Sequence, residues 1–150
     1  MSELTFCPAR PEDKERILAL QVEVFHKEQD IPVHLITQED PTRRWWCAYE
    51  GSQLVGTLAA WEEADGTHMG RFILIPRCRG QKAGTRLLRY ALEETFSAGI
   101  PAIVGEARDV TVHILLGMGA EITGQPFAFF KGNVTPFILR KEAYYQNKKA

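Results

Sequence analysis

No run of 18 or more apolar residues occurs in this 150-residue chain, so a membrane-spanning helix is not expected. Cysteine is scarce: Cys7, Cys47 and Cys78 are odd in number, far apart in sequence and without CxxC or Cys/His spacing. A disulfide framework or structural zinc site is therefore not expected, and a reducing cytoplasm is the default setting. His26, His34, His68 and His113 are equally scattered, so no metal site can be argued. Charge of one sign is missing too, since 18 Lys and Arg stand against 19 Asp and Glu, a formal net of −1. Duplex nucleic acid needs a clustered basic surface, so neither nucleic acid nor a membrane is an expected partner. No repeat, low-complexity tract or Gly/Ser/Pro-rich linker divides the chain. Met1-Ser2-Glu3-Leu4-Thr5 lacks the basic and apolar regions of a secretory signal, and none is expected.

What remains is the composition of an ordinary globular domain, 45% hydrophobic and 25% charged. A chain of this length buries roughly 68–70% of its unfolded surface, enough for one core, so residues 1–150 are read as a single domain. Leu4 to Pro8 reads as a first strand. Pro11-Glu12-Asp13 opens a helix with Ile17, Leu20, Val24 and Phe25 at helical spacing, fading near Glu28-Gln29-Asp30 before Pro32. Ile31 to Pro41 reads as irregular. Strands follow at Arg44 to Tyr49, at Gln53 to Trp61 and, after the Asp65-Gly66 turn, at His68 to Pro76. The second of these is apolar on both faces, as a central strand should be.

A long amphipathic helix with the stripe Leu88, Ala91, Leu92 and Phe96 runs to about Ala98, ended by Gly99 and Pro101. Ala102 to Gly105 reads as a buried strand, and Asp109 to about Gly117 as a short helix capped by Asp109. Two final strands are expected near Ala120 to Phe130 and Val134 to Leu139, with the polar tail 142–150 fraying. The order implies an α/β (α+β) domain with a mixed sheet flanked by helices. The apolar final strands leave two roles open, core or a homodimer face.

The stretch from Arg71 to Leu88 carries the most chemistry: an apolar strand, a turn with Gly80 and Gly84, then a helix. Amides opening a helix have no intrahelical partners and face one way, so an anion can accept from several at once. Glycine at 80 and 84 would let a phosphate approach the backbone, and Arg77, Arg79, Lys82 and Arg86 add positive charge. The same spacing also suits a plain strand-to-helix connection. Two nucleotide motifs are excluded: the P-loop needs four residues between its glycines, whereas three separate Gly80 from Gly84, and GxGxxG is absent.

The pattern Arg79-Gly80-Gln81-Lys82-Ala83-Gly84 resembles the coenzyme A-binding motif of the GNAT acyltransferase superfamily, (Gln/Arg)-x-x-Gly-x-(Gly/Ala), with Lys82 at the usual middle glycine. Val24-Phe25-His26-Lys27-Glu28-Gln29 and Gly70-Arg71-Phe72 further resemble the ElaA-like branch, with a looser similarity to acyl-homoserine-lactone synthases. The resemblance implies the GNAT fold, a mostly antiparallel sheet of about seven strands. It implies an N-acetyltransferase taking acetyl-CoA as donor, without metal, and an amine of a small molecule or peptide as acceptor. It also implies that the pantetheine arm runs beside Ile73, Leu74 and Ile75, and that the pyrophosphate lies on the backbone of Arg79, Gly80, Gln81, Lys82, Ala83, Gly84 and Thr85. The acyl group is expected where the strand carrying Ile73 splays from Ala102 to Gly105. The acceptor pocket is expected from the first helix, the 31–41 segment and the loop between the last two strands.

The family's usual proton-donating tyrosine corresponds to Leu115, which cannot donate, so His113 or water is expected to protonate the leaving sulfur. Candidate bases are Glu28, Asp40, His68 and Glu106, with Glu106 preferred because it ends the strand beside the expected gap. Arg71 is expected to pair with an acid. Of Trp45 and Trp46, which face opposite ways, at least one is expected in the core. Two alternatives stand beside the acetyltransferase: a catalytically impaired acyl-CoA-binding or sensor module, and a longer-chain acyltransferase with its gap lined by Phe127, Phe129 and Phe130.

Overall fold

The computed structural model describes residues 3–79 and 82–149. Strand β1 (Leu4–Pro8) leads through a short 3-10 turn (Pro11–Asp13) into α1 (Lys14–Gln21), a π-helical turn (Val22–His26) and the four-residue α2 (Val33–Ile36). Then come β2 (Arg44–Glu50), β3 (Gln53–Glu63), β4 (Gly66–Leu74), α3 (Ala83–Ser97), β5 (Ala102–Ala107) and α4 (Asp109–Leu116). The chain closes with β6 (Glu121–Ile122), β7 (Phe127–Ala128), β8 (Asn133–Arg140) and α5 (Lys141–Lys149). Eight strands form the sheet, in the order β1-β2-β3-β4-β5-β8-β6 with β7 also on β8. Every pairing is antiparallel except β4 with β5.

Alternation along β2 shows how the sheet builds two cores. Trp46 and Ala48 face α3, α4 and α5, joining Leu87, Leu88, Ala91, Leu92, Phe96, Leu115 and Tyr144. Cys47 and Tyr49 face the other way, against Ile17, Leu20 and Val24 of the first helix. Trp46 is the buried tryptophan of the pair, its Nε1 donating to Glu94 at 2.8 Å. Trp45 lies under the Arg43 guanidinium instead, 5.8 Å from the ring centre. Strand β3 is buried from Leu54 to Ala60, as its two-faced apolar pattern requires.

Four sequence expectations change. The tail expected to fray from 142 is helix α5 as far as Lys149, because Tyr144 supplies an anchor: it is 1% exposed, packs on Phe96 at 5.4 Å, and donates to Glu93 at 2.7 Å. Lys148 reaches the same carboxylate at 2.8 Å. The strand expected over Ala120 to Phe130 is two two-residue pieces, parted at 123–126 where Gly124 and Pro126 interrupt it. The irregular 31–41 segment contains α2, held down by buried Ile31 and Ile36. Asp109 is the first residue of α4 rather than its cap, which is Arg108. Cys7 and Cys47, distant in sequence, sit directly opposite across β1 and β2 as free thiols. Burial pushes Cys47 up to about 12, which makes it a packing residue rather than a nucleophile.

Candidate active site

Strands β4 and β5 pair only at Thr67 with Ile103 and at His68 with Val104. Beyond that they part, and Gly105 marks the place: a Cβ there would lie 2.6 Å from the Met69 carbonyl oxygen and 3.0 Å from Phe137. A side chain at 105 would push the strands apart too early. Two residues later β4 bulges, since Gly70 opposes Ala59 and Ile73 opposes Thr57, leaving Arg71 and Phe72 against Leu58 alone. Arg71 takes φ 57°, and its turned-out carbonyl accepts from Gln21 Nε2 and Thr57 Oγ1, each at 3.2 Å. Gln21 is wholly buried and also donates to Thr57 Oγ1 at 2.6 Å. Its place on the first helix gave no sequence signal beyond a polar residue beside the apolar stripe.

The parted strands open a cavity of about 340 Å³ that runs through the sheet. Leu88 of α3, with Thr111 and Leu115 of α4, line it from one side; Phe25, Gln29, Ile31, Leu35 and Ile36 line it from the other. Phe129, from the connection between β7 and β8, completes the second side. Those are the three segments named above for an acceptor pocket. Phe127 and Phe130 are exposed and do not line the cavity among the described residues.

The polar groups of this cavity are few: Glu63, His68, Arg71, Glu106 and Arg108, with Gln29 and Thr111. Glu106 stands at the exposed mouth, near the end of β5. His68 stacks on Trp61 and lies between two carboxylates, with Nε2 2.6 Å from Asp65 and Nδ1 3.5 Å from Glu63. Among the described residues Arg71 pairs with no acid, contrary to expectation. Its Nη1 donates to the Ile36 carbonyl at 2.5 Å and its Nη2 to that of Leu35 at 3.0 Å, which ties α2 to the bulge. Burial, with Arg43 nearby, pushes the guanidinium down to about 10. Among the described residues Arg108 likewise meets only neutral acceptors: Gln29 Oε1 at 2.8 and 3.1 Å and the Asn133 carbonyl at 3.4 Å.

The other candidates lie elsewhere. Glu28 is exposed and pairs with Arg79 at 3.2 Å, linking the end of the first helix to the basic turn. Asp40 accepts from Thr42 N and Oγ1 in the loop before β2, bonds that hold its carboxyl below the usual range. His113 is on the exposed side of α4, whereas Leu115, 2% exposed, is in the cavity wall. Reading His113 as proton donor to the cavity therefore meets the wrong helix face.

At the end of β4, α3 begins with Lys82 held at φ 61° as its N-cap residue, with no side-chain cap bond, so the amides of its first turn have no intrahelical partners. Gly80 and Gln81, the turn residues assigned to coenzyme A, lie outside the described residues. Gly84 also has a packing reason to be glycine. A Cβ there would be 3.0 Å from Phe72 and 3.3 Å from Leu74, so it lets α3 lie close on β4. The four basic side chains are also less concentrated than expected. Arg77 turns to Glu50 at 2.5 Å and Gln53 at 2.8 Å, Arg79 to Glu28 and the Leu74 carbonyl, and Arg86 over the Phe6 ring at 5.0 Å. Lys82 stays exposed beside the helix start. Ile73, Leu74 and Ile75 lead from the parted edge into this turn, with Ile73 buried in the first-helix core.

Among the described residues no helix is long and apolar enough to cross a membrane. No curated protein sequence matches the chain. Solved structures do. ElaA of Escherichia coli is 19% identical, covering 92% of this chain and 99% of its own at a TM-score of 0.76. FeeM, an N-acyl amino acid synthase from uncultured soil microbes, is 11% identical over 98% and 96% at 0.78. NAA60 of Arabidopsis thaliana, solved in complex with acetyl-CoA, is 12% identical over 93% and 99% at 0.73. At these identities the likeness is one of fold. Residues 12–114 match the Acetyltransferase (GNAT) family, and the chain belongs to it.

Proposed function

We propose that this protein is an acyl-CoA-dependent N-acyltransferase, using acetyl-CoA to acylate an amine. The observation that carries this reading is the cavity crossing the sheet where β4 and β5 part, with the start of α3 at the end of β4. In this reading the pantetheine arm runs beside Ile73, Leu74 and Ile75 at the parted edge of β4, where the Leu74 carbonyl also accepts from Arg79 and the Ile75 backbone is held by Val55 and Cys78. The first-turn amides of α3, with Lys82 beside them, suit a pyrophosphate. These residues fit the donor without help from Arg77, which is committed elsewhere.

Donor and acceptor then enter from opposite sides of the sheet and meet in the gap. Holding both there supplies much of the acceleration, because a bimolecular encounter becomes a positioned one. The amine nitrogen bonds to the thioester carbonyl carbon, whose oxygen takes up the negative charge. The Glu106 carboxylate, at the mouth, accepts the amine proton. The carbon–sulfur bond then breaks, coenzyme A leaves as thiolate, and water protonates it, since Leu115 has no proton to give. Glu28 acts at one remove, as the partner of Arg79.

The test is thiol release from acetyl-CoA with a panel of amines, wild type against Glu106→Gln. About a hundredfold fall in kcat with acetyl-CoA affinity unchanged is expected. An unaltered pH–rate profile in the variant would remove Glu106 from its role. A second reading, a longer acyl donor, is favoured by the apolar wall of Phe25, Leu35, Leu58, Met69 and Phe72. A higher kcat/KM with octanoyl-CoA than with acetyl-CoA would establish it.

A further inference from the structure

Two cations in the cavity have no anion. Arg71 and Arg108 line the same 340 Å³ space, and every acceptor that meets them is neutral: two backbone carbonyls for Arg71, a glutamine side chain and a carbonyl for Arg108. A guanidinium has five N–H donors, so Arg71 uses two and Arg108 three. Neither forms an ion pair among the described residues, although Arg10, Arg77, Arg79 and Arg140 all do. Both are part-buried, where a charge without a counter-ion is costly. Arg43 stands close enough to Arg71 to add like charge. The cavity's carboxylates, Glu63 and Glu106, lie beyond ion-pairing distance of both arginines, and Glu63 is engaged with His68 and Trp61. The cavity therefore presents two guanidinium groups without a counter-ion among the described residues and, separately, carboxylates at Glu106 and Glu63.

We infer that the acceptor is a small amine that also carries a carboxylate, an amino acid in the broad sense, whose carboxylate is received by Arg71 and Arg108. This rests on the acyltransferase reading above and names the acceptor class for the same site. The planar fork of arginine matches a carboxylate with paired hydrogen bonds. Charge of the opposite kind at Glu106 suits the ammonium end before it loses its proton. The Arg71 bonds to Leu35 and Ile36 and the Arg108 bonds to Gln29 hold the two forks in place before the ligand arrives, which lowers the cost of ordering them. A cavity of this size suits one amino acid beside an acyl group rather than a folded protein segment.

The experiment compares the twenty common amino acids, their amides and the corresponding amines lacking the carboxyl group, with acetyl-CoA as donor and thiol release as readout. At least one acid is expected to exceed its amide about tenfold in kcat/KM, mainly through KM. Arg108→Gln should reduce that acid-to-amide ratio about tenfold, with acetyl-CoA affinity by calorimetry unchanged. Arg71→Lys keeps a donor for the Ile36 carbonyl, so it should still fold, and it should reduce the ratio likewise. Equal use of acids and amides, turnover of none of the acids, or a ratio unmoved in both variants would overturn the inference while leaving acetyl-CoA binding intact. Failure to bind acetyl-CoA at all would overturn the acyltransferase reading and this inference with it.

Discussion

The two faces of the sheet are held by different forces. Toward α3, α4 and α5 the contact is an apolar layer of Trp46, Leu58, Leu87, Leu92, Phe96, Leu115, Leu139 and Tyr144, most of them nearly inaccessible. Toward the first helix, a smaller apolar cluster is interleaved with buried polar groups. Asp13, 0% exposed, accepts from the Arg10 backbone at 2.8 Å, from the Arg10 guanidinium and from the Tyr49 hydroxyl. Gln21 and Thr57 hold the bulge carbonyl, and Arg71 holds α2. Non-directional burial suffices to support α3, at whose start we propose the pyrophosphate lies. The side facing the first helix must fix a bulge, a four-residue helix and the orientation of side chains, and directional hydrogen bonds do that better.

The comparison breaks most visibly at Phe96, wholly buried between Tyr144 and Tyr145. Phe96→Ala should lose about 3–5 kcal/mol in urea unfolding, enough to threaten the whole fold and to free α5. Asp13→Asn on the other face should lose about 2 kcal/mol, because it removes a charge-assisted acceptor from a buried site. Its hydrogen bonds with Arg10, partly opposed by burial, hold the Asp13 carboxyl near 2. A depressed carboxyl stabilises the fold fully above its ordinary value near 4 and loses that contribution as pH falls through about 2. Between those limits the wild type should lose stability with acid more steeply than Asp13→Asn, as read from thermal midpoints.

Thr57→Val should cost about 1 kcal/mol and, in amide NMR spectra, disturb residues around 70–72 more than α3. An even spread of shifts across the domain would contradict a bulge held locally. The smallest effect is expected at Lys82, whose left-handed backbone at φ 61° strains a non-glycine residue. Lys82→Gly should change stability by less than about 1 kcal/mol, relief of strain offsetting the added freedom of the unfolded chain.

The α3 side was also the more legible in sequence. Its stripe Leu88, Ala91, Leu92 and Phe96 is periodic and all buried, and the helix start at the end of an apolar strand follows from Arg79 to Gly84. Side-chain commitments there were not legible, because Glu50 and Glu28, which draw off Arg77 and Arg79, lie 27 and 51 residues away in sequence. The spacing singles out Gly84, but its packing role is not legible there, since the Phe72 ring that excludes a side chain comes from another element. On the side facing the first helix, Phe25 and Glu106 could be placed because they sit on periodic or strand-ending positions, and Gln29 is marked only as the end of the Val24 to Gln29 resemblance. Arg108 and Gln21 carry no local pattern, and only the meeting of the first helix with β4 and β5 gives them a role. The tail was misread because nine polar-leaning residues hide one anchoring tyrosine.

Calorimetric titration of acetyl-CoA into the wild type and Lys82→Glu tests the central claim most directly, since that exposed position adds an anion at the helix start without disturbing the Gly84 packing against Phe72. Saturable one-to-one binding is expected, weakened about tenfold or more in the variant with its thermal midpoint unchanged. No heat of binding at millimolar acetyl-CoA, or equal affinity in the two proteins, would contradict the assignment of the donor to the gap between β4 and β5.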